Sequence, residues 1–406
     1  MTPNGTCDVA VVGLGPAGRA LAHRSLSAGL SVLAIDPAPQ RPWRQTLAGW
    51  TAQLPPWLPR EAVGAVADDP VIRADPSAES SAECGAGSGY PVRARYGVLD
   101  NSALAAALPL SGARIEARAI TDTELAQLPA RVVVDARGSR PVGLGRSHRR
   151  EGRNGDGAVN GVLNGVPLQR AFGVMFEPHV AAPVLDGAGA VLMDWRPHDG
   201  ATAWGERSPT FLYVIPLPDS RVLLEETCLV GRPGPDHTQL RHRLEQRLLR
   251  YGIGRSVIEG AGHERVTIPM LRAPRTGAAW SFGAAGAQHN PITGYSVFAS
   301  LAAVDGVVAR IAQAVRDGHR TPRSQLGRRP AGGPPLIRRA ALRALLRLGP
   351  DDTMALFDAF GRLPARRQQQ VLDAGATTPE VARALYAQFR RLPPRSATAL
   401  IRASLV

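Results

Sequence analysis

The sequence predicts an α/β fold in which a parallel, helix-flanked sheet is interrupted by an inserted antiparallel sheet and followed by C-terminal helices. Three observations predict it. A β-branched run, a glycine-rich turn, a helical segment and a second apolar run follow one another within residues 8–36. Between residues 172 and 229, short apolar runs are separated by turn residues, as in consecutive strands. From Leu336 onward apolar residues recur at helical spacing, broken at Pro364, Pro379 and Pro393.

The first unit is read residue by residue. Asp8–Gly13 forms a strand, and Gly13, Gly15 and Gly18 follow in GLGPAG. Arg19–Ala28 has helical spacing at Leu21, Ala22, Ser25 and Leu26, Gly29 ends it, and Leu30–Asp36 is a second strand. Glycines at this spacing let the backbone turn tightly and approach a pyrophosphate, whose charge meets the helix N-terminus. Asp36, at the end of the second strand, is placed to accept hydrogen bonds from a ribose diol, which fits an adenosine without a 2′-phosphate. FAD and NAD both meet that description.

Residues 37–90 are polar and proline-rich, and Asp75–Gly89 reads as a loop. Leu99–Leu110 is helical in pattern, and Arg131–Asp135 is a buried strand ended by Gly138. Arg146–Gly165 has few apolar anchors and reads as another loop. Phe172–Glu177, Ala190–Trp195, Thr210–Pro216 and Arg221–Leu229 read as strands, the last two joined as a hairpin through Leu217–Ser220. His237–Tyr251 is a helix, Ala279–Gly283 a strand and Tyr295–Asp317 a long helix. The resulting division is a dinucleotide-binding part at 1–165, an inserted sheet domain at 166–275, the last dinucleotide-binding part at 276–317, a linker at 318–335 and a helical segment at 336–406.

Composition narrows the function classes. Hydrophobic residues make up 44% and charged residues 20% of 406, a balance that excludes a mainly disordered chain. Cys7, Cys84 and Cys228 lie too far apart for a zinc or redox motif, and their odd number fits a reducing compartment. His237 and His263 are not at ligand spacing to His289, so no metal site is expected; a hydrogen bond of His289 to backbone or cofactor is. The net charge is +14 and every one of the 48 basic residues is arginine. Genome composition accounts for such a bias as well as attraction to a polyanion does. Aromatics are only 5% and no nucleic-acid motif is present, so an anionic membrane surface is the better partner and nucleic acid is not expected. No apolar stretch of membrane-spanning length and no signal peptide is read.

Two further clusters extend the fingerprint. Asp135 and Gly138 lie about 100 residues after it, and Gly283–Gly286 comes late, before the long helix. This three-part distribution resembles flavoproteins of the glutathione-reductase/aromatic-hydroxylase superfamily. The resemblance implies FAD, bound by Gly13, Gly15, Gly18 and Asp36, with Asp135, Gly138, Gly283, Ala285, Gly286, Thr293 and Gly294 completing the site. Ala284 stands where those hydroxylases usually have Asp.

Glu225 and Glu226 are adjacent inside the apolar run Phe211–Val230. Alternation sends them to opposite faces, so at least one should point toward an interior or a cleft. A carboxyl in an apolar site stays protonated near neutral pH and is a usable general acid. A salt bridge to one of the many arginines is the other reading of either glutamate.

At this point the chain resembles the FAD-binding lycopene cyclases of carotenoid biosynthesis. The resemblance rests on Asp8–Gly18, Trp43–Trp50 (WRQTLAGW), Tyr96–Leu110, Met193–Arg196 (MDWR), Leu223–Thr227 (LLEET), Ile268–Met270 (IPM) and Gly283–Tyr295. Leu223 replaces a Phe of the pattern, Leu271 and Arg272 replace glycines, and Asn290 is inserted after His289. What it implies is non-redox closure of β-ionone rings on lycopene, giving β-carotene, with FAD in reduced form and NAD(P)H as an external reductant. It implies Glu225, Glu226 and Asp194 as catalytic residues. Trp195, Phe211 and Tyr213 become candidates to face a carbocation through their ring quadrupoles. A redox flavoenzyme of the same fold, a monooxygenase or a prenyl or polyene reductase, is the alternative. A cytoplasmic protein docked peripherally on the membrane is expected, with Leu342, Leu345, Leu346 and Leu348 as an interfacial apolar face flanked by Arg338, Arg339, Arg343 and Arg347.

Overall fold

The structure is a computed structural model and describes residues 6–74, 89–138, 166–196, 208–270, 279–286, 288, 290, 293–318, 335–373 and 376–405. In chain order the strands are β1 (Cys7–Val12), β2 (Val32–Asp36), β3 (Ala48–Trp50), β4 (Val63–Ala67), β5 (Val71–Arg73), β6 (Tyr90–Pro91), β7 (Tyr96–Leu99), β8 (Arg114–Ala117) and β9 (Ala130–Asp135). They continue with β10 (Leu168–Phe176), β11 (Val191–Asp194), β12 (Phe211–Pro216), β13 (Val222–Gly231), β14 (Gly262–Pro269) and β15 (Trp280–Ser281).

A parallel sheet takes the order β15-β9-β1-β2-β8. Val9, Ala10 and Val11 are fully buried because both faces of β1 are covered, which is why a continuous apolar run serves as a strand here. Helices Pro16–Ser27 and Val297–Arg316 pack on one face, with Leu21, Phe298, Leu301, Val304 and Ile311 in the core. The second of these is long and apolar enough to cross a membrane, but its apolar side is spent on this core.

A seven-stranded sheet takes the order β14-β10-β13-β12-β11-β5-β6, antiparallel except where β11 runs parallel to β5. Every residue of β13 is buried. Helix His237–Leu249, opened by a capping box between Asp236 and Gln239, covers one face through Leu240, Leu244 and Leu248. The C-terminal helices Pro335–Leu345, Pro350–Gly361, Ala365–Leu372, Thr378–Phe389 and Pro394–Leu405 lie beyond the other face. Prolines open them: Pro350, Pro379 and Pro394 sit in first turns and Pro364 is an N-cap, where the missing N–H costs nothing.

Three expectations change. Within the polar stretch 37–90, β3 and β4 pair with β7 in a small sheet, and β5 and β6 join the seven-stranded sheet, because short strands draw their stability from partners rather than from their own pattern. Leu99–Leu110 splits at Asp100, whose carboxylate accepts from the Ser102 and Ala103 N–H groups and caps the short helix Asn101–Ala106. The leucine face of the 336–348 segment is turned inward: Leu342 and Leu348 are buried, and Arg338 is buried with its guanidinium on the Asp373 carbonyl. Only Arg339, Arg343 and Arg347 of the four arginines are exposed. The expected loops 75–88 and 146–165, together with Cys84, Leu271, Arg272 and His289, lie outside the described residues.

Candidate active site

The glycine turn between β1 and its helix is shaped for a ligand. Gly13 has φ +98°, and a Cβ at Gly18 would sit 1.9 Å from the Gly13 carbonyl oxygen, so neither position tolerates a side chain. A Cβ at Gly15 would meet nothing within 4 Å. Gly15 is also the N-cap of Pro16–Ser27 and provides no side-chain cap, so the helix N-terminus opens onto empty space. The Asp36 carboxylate, at the end of β2, accepts from the Leu14 and Ala38 N–H groups at 2.8 Å each and is fixed beside that space. These residues fit a dinucleotide.

The late cluster packs against the same turn. Gly283 has φ +66°, and a Cβ there would meet Ala17 at 2.6 Å. Ala285 closes the single turn Gly283–Ala285, and Gly286 folds back on Ser281. Gly138, Thr293 and Gly294 line a large cavity next to Pro16 and Ala284. Asp135 does not: it is buried and held by Arg137, which it accepts from at 2.7 and 2.9 Å while Arg137 also bonds Asp122. Its carboxylate anchors the β9 turn through the Arg137 N–H and guanidinium.

The cavity measures about 800 Å³ and is mostly apolar. One row of residues across the seven-stranded sheet faces it, in the register Tyr213–Glu225–Gly173–Glu264 on β12, β13, β10 and β14. Gly173 has no side chain to fill the space between the glutamates, so Glu225 and Glu264 flank it in one row and both line the cavity. Thr227 donates its hydroxyl to Glu225 at 3.0 Å. Thr46 donates its hydroxyl at 3.0 Å and its N–H at 3.3 Å to Glu264. Among the described residues no arginine pairs with Glu225. Burial, with the Glu264 charge behind it, pushes the Glu225 carboxyl up to about 8, and burial also raises Glu264. Both effects favour the protonated form of Glu225.

Glu226 takes the opposite face. It is fully buried, accepts from Arg247 at 2.8 and 3.1 Å, and receives the Thr210 hydroxyl at 2.5 Å. Asp194 shares that face, in the row Asp194–Leu212–Glu226–Phe172. Arg196 grips its carboxylate from 2.7 and 2.9 Å, with Arg73 at 3.7 Å. Burial alone would raise the Asp194 carboxyl, but Arg196, Arg247 and Arg73 hold it below its ordinary value. Neither residue lines the cavity: Glu226 ties the sheet to helix His237–Leu249 through Arg247, and Asp194 is held by Arg196 and Arg73.

Of the three expected aromatics, Phe211 and Tyr213 line the cavity and Trp195 does not. Trp195 is fully buried, stacked on Phe357 with centroids 4.6 Å apart and tilted against Phe211 at 4.7 Å. Tyr213 donates to Tyr96 at 3.0 Å, which donates to Tyr295 at 2.6 Å, and Trp50 meets Tyr96 edge-on at 4.9 Å. Burial pushes all three phenols up, Tyr295 to about 12, so they stay neutral beside the carboxyl pair.

Residues 8–55 and 111–398 match the family model described as lycopene cyclase protein. The chain belongs to the lycopene cyclase family. An uncharacterized carotenoid cyclase of Deinococcus radiodurans is 31% identical over 328 residues, covering 77% of this chain and 72% of that protein. A chloroplastic lycopene beta cyclase of Nicotiana tabacum is 28% identical over 330 residues, covering 75% of this chain and 60% of that one, so the chain spans less than two thirds of the plant relative. In fold, it is similar to a geranylgeranyl bacteriochlorophyll reductase-like protein of Thermoplasma acidophilum, with a TM-score of 0.54 and 13% identity over 98% of this chain and 99% of that one. In this lycopene cyclase family member the sequence reading missed Glu264 and Thr46. Glu264 lies on an edge strand whose first residues are exposed, but Glu264, Val266 and Ile268 alternate onto one face, and that periodicity was the available signal.

Proposed function

We propose that this chain closes β-ionone rings on the ends of lycopene, giving β-carotene, as an intramolecular lyase or isomerase with no net redox change. The observation that carries the reading is Glu225: a buried carboxyl, bonded to Thr227 and paired with no arginine among the described residues, on the wall of a large apolar cavity in a lycopene cyclase family member. Glu225 gives its proton to the terminal C=C, and a tertiary carbocation forms. The next double bond attacks it, the ring closes, and a ring proton leaves to restore a C=C. The apolar wall keeps water from quenching the cation, and the ring faces of Phe211 and Tyr213 favour positive charge within reach. Gly13, Gly15, Gly18 and Asp36 would hold FAD, with Gly138, Gly283, Ala285, Gly286, Thr293 and Gly294 around its other half. When bound in reduced form, FAD would supply an electron-rich ring system to the site, and external NAD(P)H would be its reductant.

The test is expression in a lycopene-accumulating bacterium. Colour should change from red to yellow, and Glu225→Gln should leave the cells red while the purified variant still carries FAD. NADPH consumption with oxygen uptake, and no ring closure, would favour a redox flavoenzyme of the same fold instead.

The substrate is a linear C40 polyene that resides in bilayers, so we also propose peripheral docking on the anionic cytoplasmic face of the membrane. Exposed Arg339, Arg343 and Arg347, with exposed Tyr386 and Ile401 on the C-terminal helices, support this.

A further inference from the structure

We propose that Glu264 is a positioning residue for Glu225: the two carboxyls share one proton over Gly173, and the pair takes back the proton that ring closure releases. The inference deepens the cyclisation reading and rests on it for the second half. Its geometric basis is independent of any substrate. Glu225, Gly173 and Glu264 occupy neighbouring positions on three adjacent strands, so both carboxyls rise from the same row. A Cβ at Gly173 would stand 3.3 Å from Glu225 Cβ and 2.7 Å from Leu223 Cδ1, which is the space the pair uses. Thr46 gives Glu264 two donors and so fixes its charge end of the pair, while Glu225 keeps only the Thr227 hydroxyl.

The groups facing the pair are few. Thr227 comes from its own strand, Tyr213 from β12, Tyr96 and Tyr295 from behind Tyr213, and Thr46 from the chain before β3. Arg265, beside Glu264, is in register with Phe172 and also lines the cavity. The charge that acts on Glu225 is the second carboxylate, which opposes loss of its proton.

The step balances without a co-reactant. The Glu225 O–H bond breaks as a C–H bond forms at the terminal alkene carbon, and the electron pair of the C=C moves into that bond. The pair then holds two negative charges side by side and is a stronger base than a lone carboxylate. When the closed ring loses its proton, a C–H bond breaks, its electrons form the ring C=C, and an O–H bond re-forms on the pair. Each turnover leaves one shared proton, as at the start.

The experiment titrates FAD-loaded, lycopene-free protein by infrared difference spectroscopy at the protonated-carboxyl band, alongside the pH profile of cyclisation. Glu264→Gln removes the charge and adds an amide donor to ionised Glu225, so the band midpoint and the alkaline limb should both move down by roughly one to two pH units. Glu264→Asp keeps the charge and should leave both within about half a unit. Gly173→Ala keeps both carboxyls but crowds them apart, and should move the midpoint in the same direction as Glu264→Gln. An unchanged midpoint in folded Glu264→Gln and in Gly173→Ala overturns the inference, even if turnover falls. If Glu225→Gln still cyclises, the acid assignment fails, and the infrared midpoints decide separately whether the proton is shared.

Discussion

Replacing the adjacent glutamates one at a time should give opposite signatures. Glu226→Gln leaves the Arg247 guanidinium, only 3% exposed, without its charged partner. Removing one member of a buried ion pair costs about 3–5 kcal/mol, because the other charge stays buried and uncompensated. At roughly 2 °C per kcal/mol for a chain of this length, the apparent Tm should fall by about 6–10 °C. Turnover measured well below that Tm should stay within about twofold of wild type. Glu225→Gln removes a carboxyl that has no cation to lose, so its Tm should hold while cyclisation disappears. The pH dependence has a definite sign. The folded protein keeps the Glu225 proton up to about pH 8, whereas the unfolded chain releases it in the ordinary carboxylate range. Stability therefore falls as pH rises through that window, by at most about 1.4 kcal/mol per pH unit from this proton, and Glu225→Gln should flatten the slope. Scanning fluorimetry from pH 5 to 9, paired with product analysis, reads both. Abolished turnover with an unchanged Tm in Glu226→Gln would refute the assignment of that residue to the framework.

Gly15→Val fills the open space at the helix N-terminus with a branched side chain and should reduce FAD retention after gel filtration at least tenfold; wild-type flavin content would remove the turn from the cofactor site. Asp194→Asn leaves Arg196 and buried Arg73 without their carboxylate and should cost about 3 kcal/mol above the ordinary carboxylate range, converging on wild type as pH falls through the lowered Asp194 value; parallel stability curves at all pH values would contradict this. Changing Arg339, Arg343 and Arg347 to Gln should weaken co-sedimentation with anionic liposomes about tenfold or more at low salt and leave binding to neutral ones unchanged; equal binding to both lipids by wild type would show that charge does not bring the protein to the membrane.

Much of this was readable from residue types and spacing. The turn of Gly13, Gly15 and Gly18 and the position of Asp36 follow from steric rules that act within one βαβ unit. That Glu225 and Glu226 part to opposite faces follows from strand alternation. Which face meets the cavity does not, because it is set by Arg247, twenty-one residues on in a helix, and by the C-terminal helices. Trp195, within MDWR, is a candidate cavity aromatic because its strand neighbours the glutamates; its packing partner Phe357 is more than 160 residues away and absorbs it into the core. Glu264 needed the register of β10 with both β13 and β14, which local sequence does not encode.

The C-terminal helices are short and each starts at or next to a proline, from Pro350 through Pro394. Their side chains, including Phe357, Phe360, Leu385 and Phe389, form part of the cavity wall. A wall assembled this way is segmented: bending within a tile breaks helical hydrogen bonds, whereas rotation at the joints before each proline breaks few. A rod-shaped polyene that must enter and leave lengthwise meets its least resistance at such joints. The helical side of the cavity is thus built from different mechanical material than the sheet that carries its carboxyls, and under the proposed cyclisation residues at the joints should govern release without touching the reacting atoms.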